Sequence, residues 1–447
     1  MQEIQAEYAK LTSRGFIIIF LPTGGPLSQA AAFLSEAFAT IPSPLADAVQ
    51  PEFAYADGPG QSQAAEPIFT VPSVFKASPC NMQTNADAGG GQAERPLRID
   101  RTILILGDGS DWDAFDKFQR ELTRHSTNRF HTVIATYDQL EADHLPVIET
   151  DSIVIYPFFP FAYWDKNIEH DAYEGVYGNV DFYNKFRALW DGINSRLNAF
   201  YSGKRLHFIN HPLRISVDRD KELTKATLSK AGIDVPAPIF TRSYTDILDL
   251  VNEAGKKLYL KVRYGSMGKG ITYMEQGRWM TNFRFEHGQI VSMHADHGWT
   301  FIDITNNTDF LKELLTKDLV IEEAIECPVF DGQKFDLRFY VCFDDVLYIF
   351  PRTNDSGAVT TNISQGGQGR SSPFLKRLSP QIIRTAARVA VKATEVMGLE
   401  FAGVDIMISN DMKHAYVIEL NAFPGFPRAR RFNLSRRIIR SIENHVF

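Results

Sequence analysis

The chain has 447 residues, 47 Lys plus Arg against 54 Asp plus Glu, a formal net charge of −7 and 44% hydrophobic residues. That balance excludes a chain disordered throughout, a collagen and a coiled coil, and at roughly 100–200 residues per domain it predicts roughly two to four domains. Three cysteines, Cys80, Cys327 and Cys342, include no C-x-x-C pair, so they build neither a disulfide framework nor a cysteine-only zinc site and point to a reducing compartment.

The N-terminus, MQEIQAEYAK, carries Glu3 and Glu7 before any apolar run and has no basic stretch of the secretory kind. The most apolar runs, 16–21 and 153–164, fall short of the roughly 20 residues that cross a bilayer. No membrane attachment is expected, and the cytoplasm is the default location. The modest acidity argues against nucleic acid as a partner, because phosphate-backbone binding requires clustered Lys and Arg.

Residues 16–21 read as a buried strand, followed by a Thr-Gly-Gly-Pro turn and an apolar-periodic helix through about Phe38. From 43 to 97 the chain is rich in Ala, Gly, Pro, Gln and Asn without periodicity, as in a linker. Regular structure resumes at Arg101–Leu106, a strand ending in Gly107-Asp-Gly109, with helical spacing from Trp112 to Leu122. Strands at Ser152–Tyr156 and Leu206–Ile209, separated by a helix around Phe182–Phe200, make 101–212 an open-sheet α/β domain. A helix from about Arg219 to Ala231 ends at Gly232 and meets Val235-Pro-Ala-Pro238, where proline forces the chain out of helix. Mixed strands and helices follow to the end.

The segment Lys257–Arg263 alternates, with Leu258, Leu260 and Val262 on one face and Lys257, Tyr259, Lys261 and Arg263 on the other. It runs into Gly265-Ser266-Met267-Gly268-Lys269-Gly270. These glycines allow positive φ and close backbone approach, as a loop over phosphates requires, and Lys269 adds charge. The spacing is not a Walker loop, since Arg263 occupies its first glycine position, nor a dinucleotide fingerprint, since no helix pattern follows. A hairpin turn and a phosphate lid explain the loop equally well.

Phe401–Ile408 and Ala415–Asn421 read as a β-hairpin joined by Ser-Asn-Asp-Met-Lys-His. Glu419 and Asn421 share a face, Tyr416, Ile418 and Leu420 take the core face, and the return of the hairpin brings Asp405 near Glu419. Two carboxylates and an amide oxygen on rigid strands suit Mg²⁺. Alternatively Asp405 is a capping or solvated acid and Glu419 and Asn421 pair with nearby arginines. The very apolar strands favour the metal, because an unpaired carboxylate there is costly.

The order of these pieces resembles the ATP-grasp superfamily, in the branch of ribosomal-protein glutamate ligase, glutathione synthetase and tubulin-tyrosine ligase-like enzymes. Lys221 with the run K-x-x-x-x-x-x-L-x-x-x-G-I-x-x-P resembles the family's first nucleotide lysine, Lys261 its second, and Gly265 to Gly270 its lid. Leu319 to Ile325 resembles the strand and hinge that read adenine by backbone, through Ala324 and Ile325, and ribose by an acid, Glu322 or Glu323. Asp336-Leu337-Arg338 resembles the D-x-R, with Arg338 reaching the transferred phosphate or the intermediate. Thr361 to Gly367, containing Asn362, resembles a T-N-x-S-x-G-G loop, and 403–406 with 417–426 resembles the metal strands of Asp405, Glu419 and Asn421. The resemblance spans about 210–426.

The resemblance implies a Rossmann-like preceding domain followed by a two-lobed ATP-grasp domain, α/β and α+β in class. The implied division is an N-terminal extension over 1–100, a preceding domain over 101–212, and an ATP-grasp domain over 213–447. The last comprises a lid lobe of about 213–320 and a metal lobe of about 321–447. It further implies ATP and Mg²⁺ as cofactors, two ions with Mn²⁺ as an alternative, and small-molecule or peptide carboxylate and amine substrates in a homodimer. The reaction would be an ADP-forming ligation through an acyl phosphate, with Arg338 and Lys261 as catalytic groups. Phosphoryl transfer needs positioning and charge neutralisation more than a protein nucleophile, which these residue types supply. Alternatives are a small-molecule kinase on the same fold, needing a dense basic patch beyond Lys334 and Arg352, and a non-catalytic ATP-binding scaffold.

Three further segments carry open readings. The stretch 278–308, with Trp279, His287, His294, His297 and Trp299, reads as ordinary packing ahead of metal binding, since no tight ligand spacing is present. The tail from Arg428 through Arg431, Arg436, Arg437 and Arg440 is either an amphipathic packing helix or an anion site. The aromatic run 156–164 either edges the core or lines an acceptor pocket.

Overall fold

The computed structural model describes residues 101–446 apart from 109–112, 126–129, 171–174, 292–298 and 428–431, together with the strands Lys10–Leu11 and Ile17–Ile18. The chain divides into two compact units, Met1–Gly91 and Gln92–Phe447. In the first, Lys10–Leu11 pairs antiparallel with Ile17–Ile18. The expected helix to Phe38 and the linker of 43–97 lie outside the described residues.

The second unit has the expected mixture of parallel and antiparallel sheets. Its first sheet is parallel: β1 (Arg101–Leu106), β2 (His131–Ala135), β3 (Ser152–Pro157) and β4 (Arg205–Phe208), ordered β2-β1-β3-β4. Both faces of β1 and β3 are buried, which is why they read as continuous apolar runs. The sequence reading omitted β2, a short edge strand whose first residue is exposed and next three half-buried. Helices α1 (Asp113–His125) and α2 (Val180–Phe200) flank this region. Asn179 caps α2 by accepting the N–H groups of Asp181 and Phe182. Phe159 and Trp164 pack with Phe186, and Phe159 also meets Phe423. The aromatic run therefore edges the core.

After α3 (Lys221–Lys230), β5 (Leu258–Val262), β6 (Ile271–Glu275), β7 (Arg278–Thr281), β8 (Ile302–Asp303) and β9 (Leu319–Glu323) form an antiparallel sheet ordered β8-β7-β6-β5-β9. Trp279 and Trp299 are buried in its core. His287 joins no metal-ligand cluster among the described residues, and His294 and His297 lie outside them.

The third sheet is β10 (Gln333–Cys342), β11 (Asp345–Asp355), β12 (Gln368–Gly369), β13 (Phe401–Ile408) and β14 (Ala415–Asn421), ordered β12-β11-β10-β13-β14. Helix α4 (Pro380–Val396) starts with a Ser379 cap and proline at its first position, and packs against β13 and β14 through Ile382, Ala386, Ala390 and Ala393. Helix α5 (Leu434–His445) buries Leu434, Ile438, Ile439 and Ile442 beside Phe115, Phe118 and Leu122 of α1. Arg436 Nε lies 2.7 Å from Glu121 Oε1. The described part of the basic tail is thus an amphipathic packing helix, and Arg428 to Arg431 lie outside the described residues.

One buried side chain ties the parallel sheet to the third sheet. Asn210 Nδ2 donates to the carbonyls of Phe401 (2.7 Å) and Ala422 (3.3 Å), while its Oδ1 accepts the N–H groups of Glu400 (2.8 Å) and Phe401 (2.7 Å). Asn210→Ala strands these groups without water, and an unsatisfied buried polar group costs roughly 1–3 kcal/mol. Thermal unfolding of that variant should show a midpoint several degrees below wild type.

Candidate active site

Strand register builds the acidic wall of the site. Arg338 on β10 faces Asp405 on β13, which faces Glu419 on β14, so the three form a row across the sheet. Arg338 Nε and Nη2 donate to the two Asp405 oxygens at 2.6 and 2.7 Å. Asp336 faces Arg352 on β11. Arg352 Nε donates to Asp336 Oδ1 at 2.7 Å, its Nη2 reaches Asp405 Oδ2 at 2.9 Å, and the Thr361 hydroxyl donates to Asp336 at 2.6 Å. Burial alone would raise the Asp405 carboxyl, but Arg338 and Arg352 outweigh it and hold the group below the usual carboxylate range. Glu419 is likewise pushed up by burial and pulled down further by Lys221, whose Nζ lies 3.1 Å away. Asn421 faces Gly403 in the hairpin register and donates to its carbonyl at 3.3 Å.

The hairpin departs from simple alternation. Asp405 opposes Glu419 while the next residue, Ile406, opposes Val417, so Ile418 is the extra residue of a β-bulge. Val417 and Leu420 therefore occupy the core, and Ile418 joins Glu419 in lining the cleft. This corrects the core face expected from strict alternation, which held Tyr416, Ile418 and Leu420.

The basic wall comes from α3 and β5. Asp220 caps α3, accepting the N–H groups of Glu222 and Leu223, and also receives Arg263 Nε at 2.8 Å. Lys221 and Lys225 share a helix face at i and i+4. Lys221 Nζ donates to the Gly265 carbonyl and pairs with Glu419. Lys225 and Lys261 both ion-pair with Glu322, whose side chain is 2% exposed. Burial pushes the Lys261 ammonium down to about 8, and it pushes Lys225 well below the ordinary lysine value, with Lys261 and Lys221 adding repulsion. Glu323 pairs instead with Lys256 at 2.6 Å, and the N–H groups of Glu323 and Ala324 bond the carbonyls of Ala237 and Lys257.

Between the two walls lies an open cleft. Its apolar part is lined by Ile271, Ile325, Met407 and Ile418, and Gly265, Ser266, Gly268 and Lys269 border it. Met267, Gly268 and Gly270 have φ of +59°, +73° and +69°. A Cβ on Gly268 would sit 2.6 Å from Asn362 Nδ2, so the loop and the Thr361–Asn362 segment pack without room for a side chain there. The Ser364 hydroxyl donates to the Met267 carbonyl at 3.0 Å.

Sequence reasoning missed Lys225 and the apolar lining residues Met407 and Ile418. The spacing Lys221-x-x-x-Lys225 was the signal for the first. Arg352, noted only as a flank of the D-x-R, turns out to bind two acids of the wall, Asp336 and Asp405.

Residues 229–446 match the family model described as YheC/D like ATP-grasp. This segment is an ATP-grasp domain. Among curated relatives, the "Probable alpha-L-glutamate ligase" of Legionella pneumophila (strain Corby) is 28% identical over 242 residues, covering 53% of this chain and 67% of that protein. The "Ribosomal protein bS6--L-glutamate ligase" of Escherichia coli O7:K1 is 26% identical over 242 residues, covering 53% and 68%. Among solved structures, that of the ATP-grasp ligase PsnB complexed with precursor peptide PsnA2 and AMPPNP has a TM-score of 0.47 and 15% identity, covering 77% of this chain and 98% of that one.

The depressed Lys261 value sets a pH dependence for the ATP-grasp cleft. A lysine with a lowered pKa loses its charge at lower pH, so its attraction for phosphate falls as pH rises through about 8. Calorimetric titration of a non-hydrolysable ATP analogue from neutral to alkaline pH should show weakening across that range. Lys261→Arg, which stays charged, should move the weakening to higher pH.

Proposed function

We propose that this chain is an ATP- and Mg²⁺-dependent, ADP-forming ligase that joins a carboxylate to an amine. The observation that carries the reading is the facing of two ionised carboxylates, Asp405 and Glu419, by the lysines of α3 and β5 across one cleft under a glycine loop. In this reading Lys221, Lys225 and Lys261 take the phosphates, and Gly265 to Gly270 with Asn362 cover them. Glu322, Glu323, Ala324 and Ile325 surround adenine and ribose.

Asp405, Glu419 and Asn421 would hold the metal. The fit rests on the donors: two buried carboxylates held in their ionised form, opposite each other in register, with an amide oxygen two residues on. A bound divalent cation there neutralises phosphate charge and polarises the transferring group. Two ions with Mn²⁺ as a substitute and a homodimer belong to the same proposal and rest on the family resemblance, and a cytoplasmic location is proposed with them as the default. No helix among the described residues is long and apolar enough to cross a membrane.

The reaction proceeds in two displacements. A substrate carboxylate oxygen attacks the γ-phosphorus, the bond to the β,γ-bridging oxygen breaks and ADP leaves. An amine then attacks the acyl carbon, phosphate departs and an amide remains. In this reading Arg338, which donates to Asp405, steadies the transferred phosphoryl group, and catalysis is positioning plus electrostatics. The glutamate ligases among the relatives make an amino acid the proposed amine substrate. The kinase alternative needs a dense basic patch to hold a polyphosphorylated acceptor, whereas Arg352 is held by Asp336 and Asp405 and Lys334 donates to the Val359 carbonyl.

The test is ADP and phosphate release with Mg·ATP across amino acids and short peptides, with mass spectrometry of the products. A new amide mass with stoichiometric phosphate supports the ligase, while ADP with a phosphorylated product would replace it by a kinase. Glu419→Gln should reduce turnover by on the order of 10²–10³ or more while circular dichroism stays unchanged. Lys261→Ala should raise the dissociation constant for ATP, and a fully active Glu419→Gln protein would sink the metal assignment.

A further inference from the structure

The contacts of α3 give the cleft a direction. Lys225 pairs with Glu322 on β9, and Lys221, one turn earlier, reaches Glu419 and the Gly265 carbonyl of the glycine loop. Just ahead of the Asp220 cap, Asp218 and Arg219 continue that line away from β9. They sit where the end of β14 meets the base of the glycine loop.

Asp218 Oδ2 accepts the Ala422 N–H at 2.6 Å, one residue past the end of β14. Its other oxygen meets no donor among the described residues. Asp218 keeps some exposure, yet the protein around it pushes its carboxyl up to about 7, as for an acid at the bottom of an opening. Arg219 is anchored separately. Its guanidinium carbon stands 4.2 Å from the Trp164 ring centroid and 4.8 Å from that of Phe186. Its Nη2 donates at 3.1 Å to the hydroxyl of Ser266, a residue of the cleft lining, while its Nε is buried without a hydrogen-bond partner. Although adjacent in sequence, the two side chains form no ion pair with each other, and among the described residues neither has another ion-pair partner.

One acid and one base are thus held apart by their own anchors at the metal end of the cleft, each with polar capacity left over. A ligand carrying an ammonium group and a carboxylate side by side would satisfy both. We infer that Asp218 and Arg219 form the binding site for the incoming amine, a free amino acid taken as its zwitterion, with Asp218 receiving the ammonium group and Arg219 the α-carboxylate. This inference rests on the ligase reading and narrows its amine substrate: a simple amine or the side-chain amine of a peptide lacks the neighbouring carboxylate. The placement also suits the chemistry, because an amine that attacks an acyl phosphate must lie beside the metal wall, and Glu419 and Ala422 belong to the same strand end.

The test sets ligand groups against side chains. Saturation-transfer NMR of the full chain with Mg·AMPPNP and each common L-amino acid at millimolar concentration should find at least one that binds. Calorimetry then compares that amino acid with its α-amide and with its analogue lacking the α-amine, on wild type, Asp218→Asn and Arg219→Met. On wild type each ligand change should weaken binding by on the order of tenfold or more. On Arg219→Met the acid and its α-amide should bind alike while loss of the amine keeps its full cost, and on Asp218→Asn the pattern should reverse. Arg219→Lys, which keeps the charge, should still discriminate against the α-amide. A residue that only shapes the fold would weaken all three ligands equally, so a uniform loss overturns the assignment. So does a wild-type protein that binds Mg·AMPPNP but no amino acid, a result that leaves the ligase reading to the product analysis. Failure to bind Mg·AMPPNP would instead sink the nucleotide reading, and the same titrations on the nucleotide-free protein would still decide the roles of Asp218 and Arg219.

Discussion

The cleft depends on the antiparallel register of β10, β13 and β14. Side chains alternate along a strand, so a one-residue slip of β13 would turn Asp405 into the core and Val404 or Ile406 out toward Arg338. Several features pin that register at once. Gly403 gives passage to the chain beyond β14, since a Cβ there would lie 2.5 Å from Pro424 Cβ. The bidentate Arg338–Asp405 pair tolerates no offset. The bulge at Ile418 then re-aims Glu419 toward the lysines of α3.

Charge balance follows from that geometry. The cleft gathers Lys221, Lys225, Lys261, Arg338 and Arg352 around Glu322, Asp336, Asp405 and Glu419, nearly all of them largely buried. Charges this far from water persist only when paired, and the structure pairs each of them within the site. Phosphates and a divalent cation would substitute for these partners, so ligand binding at such a site exchanges one set of ion pairs for another. The depressed Lys225 and Lys261 values reflect the same burial that makes the pairing necessary.

Much of the architecture is legible residue by residue. Leu258, Leu260 and Val262 alternate with Tyr259 and Lys261, and the structure buries the first set and turns the second toward the cleft. The hairpin of 401–421 and the approach of Asp405 to Glu419 also follow from pattern. Strand β2 was hidden because a half-exposed edge strand of five residues carries too little apolar signal. Lys225 escaped notice because a lysine in the middle of a helix looks like an ordinary solvent-facing one until its burial is seen. Ile418 was misplaced because a bulge breaks the period of two, and no local residue type announces it.

Most element types and the identity of the acids and bases are readable from residue order, because periodicity, caps and glycine or proline positions are local properties. Its ordered motifs also pointed to the ATP-grasp family. Tertiary structure alone decided which of these charges meet. The pairing of Glu322 with two lysines from different elements, and of Lys269 with Glu169 across a hundred residues, depends on burial and on contacts between segments distant in the chain. Such contacts leave no local pattern, since a charged side chain reads the same in sequence whether it faces water or a partner in the core.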